Sequence, residues 1–279
     1  YFSIYLFGWE TLVTKHIQEL EAAYQTRLFD RQGSRISLTE SGNLLLEHCE
    51  RILEDYKRLE YEMHLLHNEY TGGLKLGAST TIAQYVLPPL LASFIGKFPQ
   101  VSLSLLNGNS REIEAALQEH RIDLGFVEGV FRLPNIRYTT FLEDELVAVV
   151  RTGSKLAVGE EITPDELFHL PLVLRERGSG TLDVFERALQ QHNIKLSSLQ
   201  VLMYLGSTES IKLFLEHTDC LGIVSVRSIT RELYSGQLRV VEIKGMPMLR
   251  DFSFAQPQGQ ESGLAQVFMQ FAMHNNHKL

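Results

Sequence analysis

Four stretches of the sequence place small polar residues where an apolar segment gives way to a helical pattern. They read ASTTIAQYV, GNSREIEAA, RGSGTLDVF and GSTESIKLF. Serine, threonine and asparagine commonly cap helix N-termini, and this is the ordinary explanation of any one stretch. A helix N-terminus also presents unpaired N–H groups and the positive end of the helix dipole, which attract anions. Because strand ends converge on the ligand crevice of open α/β sheets, the four stretches together predict a site for a small anionic ligand.

The groups that could contact this ligand are hydroxyls from the four stretches and two carboxylates at predicted strand ends. The hydroxyl candidates are Ser79, Thr80, Thr81, Ser110, Ser179, Thr181, Ser207 and Thr208. The carboxylate candidates are Glu128 and Glu176. These residue types predict ligand binding between two halves of the sheet.

Motifs for catalysis or metal binding are not found. RGSGT matches neither the G-x-S-x-G nucleophile motif nor a phosphate-binding Walker A loop. His64 and His67 share one face of a predicted helix, but they have no cysteine or acidic companions for a metal site. Cys49 and Cys220 cannot form a disulfide framework and fit a reducing cytoplasm. We therefore predict no catalytic residue, no metal and no cofactor.

From Leu74 onward, short apolar strands alternate with helical patterns. This rhythm is typical of an α/β sheet with crossover helices. The predicted buried strands are LKLGAS, VSLSLLN, IDLGFVEG, LVAVVR, PLVLRE, VLMYLG and LGIVS, followed by the late strands VVEIKG and RDFSFAQ. The predicted helices cover about 82–97, 110–120, 181–192, 208–217 and 260–273.

A long helix with one narrow apolar seam is predicted upstream of the sheet. Its seam residues recur in alternating steps of four and three, as in the a and d positions of three heptads: Leu45, Cys49, Ile52, Tyr56, Leu59, Met63 and Leu66. Such a seam favours pairing with a second helix, and the sequence TGG at 71–73 ends the helix. The alternative is a core helix packed on its own domain, although core helices usually show a broader apolar stripe.

The beginning of the chain combines a short amphipathic helix with a basic hairpin. The helix is predicted over Val13–Tyr24 and the hairpin over Arg27–Thr39, with arginines along it. This arrangement is typical of an element that contacts DNA. The net charge of −8 argues against a broadly basic protein that coats nucleic acid, but it does not exclude a local contact. No apolar run approaches the roughly 18 residues that a membrane span needs.

Taken in order, these stretches resemble a LysR-type transcriptional regulator. The resemblance runs from Val13 to about Phe271, and its most specific segments are VTKHIQELEAAYQTRLFDRQGSRISLTESG and GSTESIKLFLEHTDCLGIVS. The family implies an α/β fold: a two-lobed effector domain like that of periplasmic binding proteins, preceded by a long linker helix and a winged helix-turn-helix. It implies control of promoter binding by a small effector, a homodimer or homotetramer, no membrane contact and a cytoplasmic location.

The resemblance also assigns boundaries and contacts. Residues 1–40 would be a partial winged helix-turn-helix, 41–72 a dimerising linker helix and 73–279 the effector domain. Its first lobe would hold residues 73–150 and 250–279, and its second lobe residues 151–249. The positions that match the family's effector contacts are Ser79, Thr81, Asn109, Ser110, Ser179, Thr181 and Thr208.

The resemblance is incomplete at the start of the chain. Family members carry two helices and the start of a third before the point that matches Val13, whereas only YFSIYLFGWETL precedes it here. We therefore expect the DNA-reading unit to be cut within its recognition helix. The candidate DNA contacts that remain are Thr14, Lys15, His16, Arg27, Arg31 and Arg35.

Three other functions stay open at this point. An effector-binding dimer without DNA-binding function differs only in the first twelve residues. An extracytoplasmic solute-binding protein would have similar lobes, but it would need a signal peptide and would not need the seam helix. An enzyme on the same scaffold lacks any supporting motif.

Base readout needs side chains held within hydrogen-bond distance of base edges, and each good bidentate contact discriminates by about 1–3 kcal/mol. If the recognition helix lacks its supporting helices, we expect this chain to bind its promoter little better than random DNA, and weakly at physiological salt. Competition between promoter and scrambled DNA measures this. A specificity ratio above about 10³, as intact regulators reach, would contradict the expectation.

Overall fold

A computed structural model describes residues 3–32, 35–67, 70–130, 132–156, 159–258 and 263–276. Within α1, the hairpin and α2, the side chains of residues 3–12, 31, 32, 35, 50, 54, 57, 58, 60–62 and 64–67 lie outside the description. The chain divides into two units, residues 1–68 and 69–279. Each unit is described by itself.

The first unit is a helix, a hairpin and a long helix. Helix α1 covers Ser3–Tyr24, strands β1 and β2 cover Phe29–Gln32 and Arg35–Leu38, and helix α2 covers Glu40–His67. The two strands pair antiparallel, as predicted. Helix α1 begins ten residues earlier than the predicted start at Val13. It ends where Gln25 takes a positive φ of 51°, which breaks the helical path.

The hairpin is fixed to both neighbouring helices by backbone hydrogen bonds. Glu21 on α1 accepts from the N–H of Leu28 at 2.8 Å and from that of Phe29 at 3.4 Å. The N–H of Thr39 donates to the Leu28 carbonyl at 3.0 Å, and its hydroxyl accepts from the N–H of Gly42 at 3.0 Å. Leu28 is buried in the angle between these elements. The angle between α1 and the hairpin is therefore set by contacts within this unit.

The predicted seam of α2 lies on the surface of the chain. Ile52, Tyr56, Leu59 and Met63 are between 49% and 66% exposed, and Cys49 is also exposed. The side chain of Leu66 lies outside the described residues. The described seam residues thus do not form a core within their own unit, so the core-helix alternative does not hold for them. Pairing with a second helix remains the prediction for this face.

The second unit alternates strands and helices. Its strands are β3 (Gly72–Ser79), β4 (Val101–Gly108), β5 (Leu124–Glu128), β6 (Ile136–Arg151), β7 (Glu161–Ile162), β8 (Leu172–Arg175), β9 (Val201–Leu205), β10 (Leu221–Ser225), β11 (Leu238–Ile243) and β12 (Leu249–Pro257). Its helices are α3 (Thr80–Tyr85), α4 (Leu87–Lys97), α5 (Ser110–Gln118), α6 (Gly180–Gln191), α7 (Thr208–His217), α8 (Thr230–Tyr234) and α9 (Gly263–Asn275). Three short 3₁₀ helices lie at Pro164–His169, Leu196–Ser198 and Val226–Ser228.

The strands form two lobes that share strand β6. In the first lobe, β3 lies between β4 and β5 and runs parallel to both, and β12 joins β5 to β6. In the second lobe, β8 is parallel to β9 and β10, while β10 and β11 flank β6. Residues 136–145 of β6 pair with β12, and residues 146–151 pair with the strands of the second lobe. The change of partner along β6 is the connection between the lobes.

Three crossover helices are held against the sheets by fully buried apolar side chains. Ile113 of α5, Phe185 of α6 and Ile211 of α7 have no exposure to solvent. Burying each such side chain contributes about 1.5–3 kcal/mol relative to leaving it exposed. This packing fixes the N-termini of these helices at the ends of strands β4, β8 and β9.

The sequence predicted most of these elements, and the differences have local causes. The helix predicted over 82–97 is interrupted at Val86, because Pro88 and Pro89 start a new helix. The strand LVAVVR is the end of the sixteen-residue β6. Strands VSLSLLN and VLMYLG were predicted to be buried, but β4 and β9 are edge strands with exposed apolar side chains. Strand β7 and helix α8 were not predicted.

Among the residues that the structure describes, no helix combines the length and apolar character that crossing a bilayer requires.

Replacing Ile52 and Leu59 together with lysine should disrupt association through α2. The substitutions place unpaired charge in the predicted seam, at a cost of several kcal/mol by analogy with buried unpaired charges. Analytical ultracentrifugation at micromolar concentration should then show smaller species than the wild type. Leu44→Lys is the matched control, because Leu44 is exposed on α2 but off the seam. An unchanged mass for the double variant would rule out the seam as the interface.

Candidate ligand-binding site

All four predicted strand-to-helix junctions form in the second unit. They join β3 to α3, β4 to α5, β8 to α6 and β9 to α7. The first two belong to one lobe and the last two to the other, and side chains from both lobes meet across the gap. The junctions therefore bring predicted contacts that are far apart in sequence to one place.

Three of the junctions use a predicted contact as a helix cap. Asn109, Ser179 and Ser207 each accept a hydrogen bond from the backbone N–H three residues later, at 3.0, 3.2 and 3.1 Å. These oxygens serve their own helices, which is the ordinary role of such residues. Ser79 differs, because it makes no cap bond and its buried Oγ has no hydrogen-bond partner among the described residues.

Glu128, at the end of β5, collects contacts from both lobes. Its Oε1 accepts from the hydroxyl of Thr81 at 3.3 Å and from that of Thr181 at 3.5 Å. The same oxygen lies 3.2 Å from Nη1 of Arg250. The Ser110 hydroxyl donates to the backbone carbonyl of Glu128 at 2.8 Å. Four predicted contacts thus meet here, and the charge of Glu128 is matched by Arg250.

Arg250 connects this cluster to the strands between the lobes. Its Nε and Nη2 both lie 2.7 Å from Oδ2 of Asp144 on β6. Its Nη1 donates to the Thr181 hydroxyl at 3.0 Å. Asp144 also accepts from the Ser225 hydroxyl on β10 at 2.7 Å. A buried charge needs such partners, so Glu128, Arg250 and Asp144 form one dependent network.

A second arginine, Arg175 at the end of β8, lies at the other side of the junctions. Its Nε and Nη2 donate to the two carboxylate oxygens of Glu176 at 2.8 and 3.0 Å. Nη2 also lies 3.4 Å from the Thr80 hydroxyl of the first lobe and 3.3 Å from the carbonyl of Gly206. Thr80 in turn donates to the carbonyl of Gly108 at 3.2 Å. Arg175 is thus in contact with three of the four junctions.

Tyr85 and Glu209 form a third contact between the lobes. The Tyr85 hydroxyl donates to Oε1 of Glu209, next to Thr208 at the start of α7. Lys212 lies 2.7 Å from Glu209 and 2.8 Å from Glu232, and its Nζ stands 5.3 Å from the Tyr85 ring centroid. Burial and the hydrogen bond to Glu209 raise the pKa of Tyr85 far above its usual range. The hydroxyl therefore stays protonated and remains a donor.

The backbones of the two lobes approach closely at Gly180. A Cβ added there would lie 2.3 Å from the carbonyl oxygen of Glu128, and the neighbouring Gly129 has a φ of +112°. A Cβ at Gly129 would in turn lie 3.0 Å from Cα of Gly180. Only residues without a side chain allow this contact.

A cavity of about 360 Å³ lies between α5 and α6 and is lined by Ser110, Glu114, Glu128 and Asp183, among others. Burial raises the pKa of Glu114 and that of Asp183. Tyr138 donates a hydrogen bond to Glu114 at 2.5 Å, which opposes part of that rise. Arg111 also lines the cavity and lowers both pKa values by its positive charge.

The predicted DNA contacts lie in the first unit. Thr14, Lys15, His16 and Arg27 are exposed. Glu19 lies 3.8 Å from Nζ of Lys15 and 3.3 Å from Nδ1 of His16. The side chains of Arg31 and Arg35 lie outside the described residues, although their backbones belong to β1 and β2.

Two of these contacts line a groove between α1 and the hairpin. Thr14 and Arg27 share a space of about 600 Å³ with apolar side chains that include Val13, Ile17 and Phe29. An apolar lining is suited to packing against another element and is poorly suited to a phosphate backbone. Lys15 and His16 do not line this groove.

The sequence analysis did not identify Arg175, Arg250, Asp144 or Tyr85. Each charged one interrupts an otherwise apolar strand: PLVLRE, LRDFSFA and FLEDELVAVV. A charge inside a strand that must be buried requires a partner, so this pattern could have indicated the network. Tyr85 has no comparable signal, because aromatic residues are common in helices that pack on a sheet.

Comparison with known proteins gives two family matches along the chain. Residues 67–276 match the LysR substrate binding domain, and residues 10–43 match the bacterial regulatory helix-turn-helix protein of the lysR family. The chain belongs to the LysR family of transcriptional regulators. The HTH-type regulator YeiE of Escherichia coli strain K12, described as uncharacterized, is 34% identical over 234 residues, which are 84% of this chain and 77% of that protein.

Solved LysR structures share the fold. The regulatory domain of Synechocystis CcmR, in complex with 2-PG, is 28% identical with a TM-score of 0.66, covering 73% of this chain and 97% of that one. CrgA of Neisseria meningitidis aligns with a TM-score of 0.69 at 18% identity, covering 95% of this chain and 89% of that one. The predicted fold class, family and regulatory function are confirmed, and the relatives are regulators rather than enzymes.

Gly180→Ala should destabilise the protein by about 1–3 kcal/mol, because its methyl group would overlap the Glu128 carbonyl and force the lobes apart. Urea titration of the full chain measures the free energy of unfolding. The control is Gly206→Ala, since nothing lies within 4 Å of a Cβ added there. Equal stability of the two variants would contradict the close contact.

Proposed function

We propose that this LysR-family regulator controls its binding to promoter DNA through a small anionic effector held between the two lobes of residues 73–279. The observation that carries the proposal is the meeting of junctions from both lobes. Thr80 approaches Arg175 at 3.4 Å, and Thr81 and Thr181 approach the same oxygen of Glu128. An effector at this place would contact both lobes at once.

Regulation follows from where the contacts between the lobes are made. The junctions that would bind the effector also carry the Tyr85–Glu209 and Glu128–Thr181 contacts. A ligand shifts a conformational equilibrium only through a difference in its affinity for the two states. A ligand that touches these residues would interact differently with closed and separated lobes, which is the requirement for coupling to another site.

The complex of CcmR with 2-PG supports a small-molecule effector for this chain, because that domain is 28% identical and nearly all of it is covered. The proposed effector contacts are those predicted from sequence. Among them, Ser79, Thr81, Ser110, Thr181 and Thr208 are buried at the junctions. Glu128 is proposed to act through its ion pair with Arg250, since that pair already matches its charge.

The first unit is proposed to bind DNA through residues 1–40, and 41–72 to pair with a second copy. The exposed α2 seam supports a homodimer. The apolar edge strands offer further surface for a tetramer, since Leu105 and Leu106 of β4 and Leu202 and Met203 of β9 are exposed. A protein that binds promoters works where the DNA is, and we therefore propose the cytoplasm.

Thr81→Val and Thr208→Val should each weaken binding of an effector identified by a metabolite screen. Loss of one hydrogen bond to a charged ligand costs roughly 1.5–3 kcal/mol. Isothermal titration calorimetry of the full chain measures the change. Thr230→Val is the control, because Thr230 is exposed at the start of α8, away from the junctions. If both junction variants bind as the wild type does, the cleft is not the effector site, and exclusive binding of neutral ligands would disprove the anionic class.

A further inference from the structure

Arg175 is the largest completely buried side chain among the described residues, with 1% of its side chain exposed. One edge of its guanidinium, formed by Nε and Nη2, is bound by both oxygens of Glu176. This edge-on pairing fixes the plane of the guanidinium, because two parallel hydrogen bonds leave it no rotational freedom. The opposite side of the group, with Nη1, faces away from Glu176.

The Nη1 side is short of acceptors. Nη1 is buried without a hydrogen-bond partner among the residues that the structure describes, and the two further contacts of Nη2 are long, at 3.3 and 3.4 Å. The Ser79 hydroxyl, one residue before Thr80, is equally buried and equally without a partner in the described chain. Unsatisfied buried donors are rare in folded proteins, and a charged one is the most costly. Two of them at one junction mark a place for an acceptor.

We infer that Arg175 is the counter-charge for the effector: its Nη1 side and the Ser79 hydroxyl receive one oxyanion group, of the carboxylate or phosphate class. This inference rests on the proposed effector cleft and adds the ligand's charged group and its recognition. The planar guanidinium fork suits both classes of oxyanion. Glu176 is a positioning residue, because it holds the fork without touching the ligand.

The balance of charges favours an anion despite the neighbouring carboxylate. The side chain of Glu176 is 26% exposed, so water screens part of its negative charge. The guanidinium of Arg175 is not screened in this way, so its positive charge dominates inside the cleft. The other polar group at hand, the Ser79 hydroxyl, can donate, whereas a cationic ligand would face the guanidinium without an acceptor.

The position of Arg175 also couples the bound group to lobe contact. Arg175 belongs to the second lobe, and Ser79 and Thr80 belong to the first. An oxyanion shared by Arg175 and Ser79 would replace the long 3.4 Å contact between Arg175 and Thr80 with two hydrogen bonds that span the lobes. Binding would therefore stabilise the closed arrangement.

The test uses the full-length chain and four probes at equal ionic strength: phosphate, sulfate, acetate and malonate, with chloride as the blank. The wild type should show saturable binding of at least one probe at millimolar concentration in thermal-shift and calorimetric titrations. Preference for phosphate or for malonate identifies the oxyanion class. Ser79→Ala should weaken that binding about tenfold, and Arg175→Lys about tenfold or more, because lysine keeps the charge but loses the fork. Ser198→Ala, at an exposed serine outside the cleft, should leave binding unchanged.

Arg175→Lys could perturb folding, so the ligand-free melting temperature and circular dichroism of each variant are measured first. Ser79→Ala keeps the test decisive, because it removes a hydroxyl that has no partner in the described chain and leaves the Arg175–Glu176 pair intact. For Glu176, alanine should weaken binding and glutamine should restore most of it, since an amide oxygen still accepts from Nε. A purely structural role for Glu176 would instead lower the melting temperature and leave the affinity unchanged.

Two results would overturn the inference. One is the absence of saturable binding of every probe by the wild type, and the other is wild-type affinity in both Ser79→Ala and Arg175→Lys. In either case, an effector from the metabolite screen that still depends on Thr208 would show that the cleft is correct and the assignment of Arg175 is wrong. Loss of the Thr208 dependence as well would remove the proposed function itself.

Discussion

Arg250 is buried on all sides and cannot remain charged there without carboxylates beside it. Asp144 on β6 and Glu128 on β5 supply those carboxylates, and Thr181 of the second lobe accepts from the same guanidinium. The two lobes and the strand that connects them are therefore tied to one charge. Removing a single partner would leave a buried ion uncompensated, so the network constrains where the ends of β5, β6 and β12 can lie relative to one another.

This constraint separates two kinds of polar residue at the junctions. Glu128, Asp144 and Arg250 satisfy one another and hold the framework. Arg175 and Ser79 lie at the same junctions but keep donors without partners among the described residues. A framework whose polar groups are satisfied can position a second set whose groups are not, and binding sites require such prior positioning.

Much of this arrangement was predictable from the sequence, and the limits have physical causes. Periodicity predicted α7 and β10 to the residue, because turn and capping residues mark their ends. Periodicity could not tell that β4 and β9 lie at sheet edges, since burial depends on which strands become neighbours. The hydroxyls of Thr81 and Thr181 were predicted as ligand contacts from type and position alone. Their shared acceptor, and the arginines beside it, depend on pairings between residues about 50 to 125 positions apart, and no local pattern records these.

The close approach at Gly180 has a consequence for how such a regulator can diversify. The lobes meet there backbone against backbone, so the extent of closure does not depend on the identity of any side chain. Mutations that exchange hydroxyls, carboxylates or arginines at the neighbouring junctions can alter which molecule is recognised without shifting the end point of the movement. Drift in chemical selectivity and preservation of the mechanical response are thereby assigned to different atoms. A lineage built on this chain could acquire a new inducer by few substitutions while the same signal continues to reach its promoter.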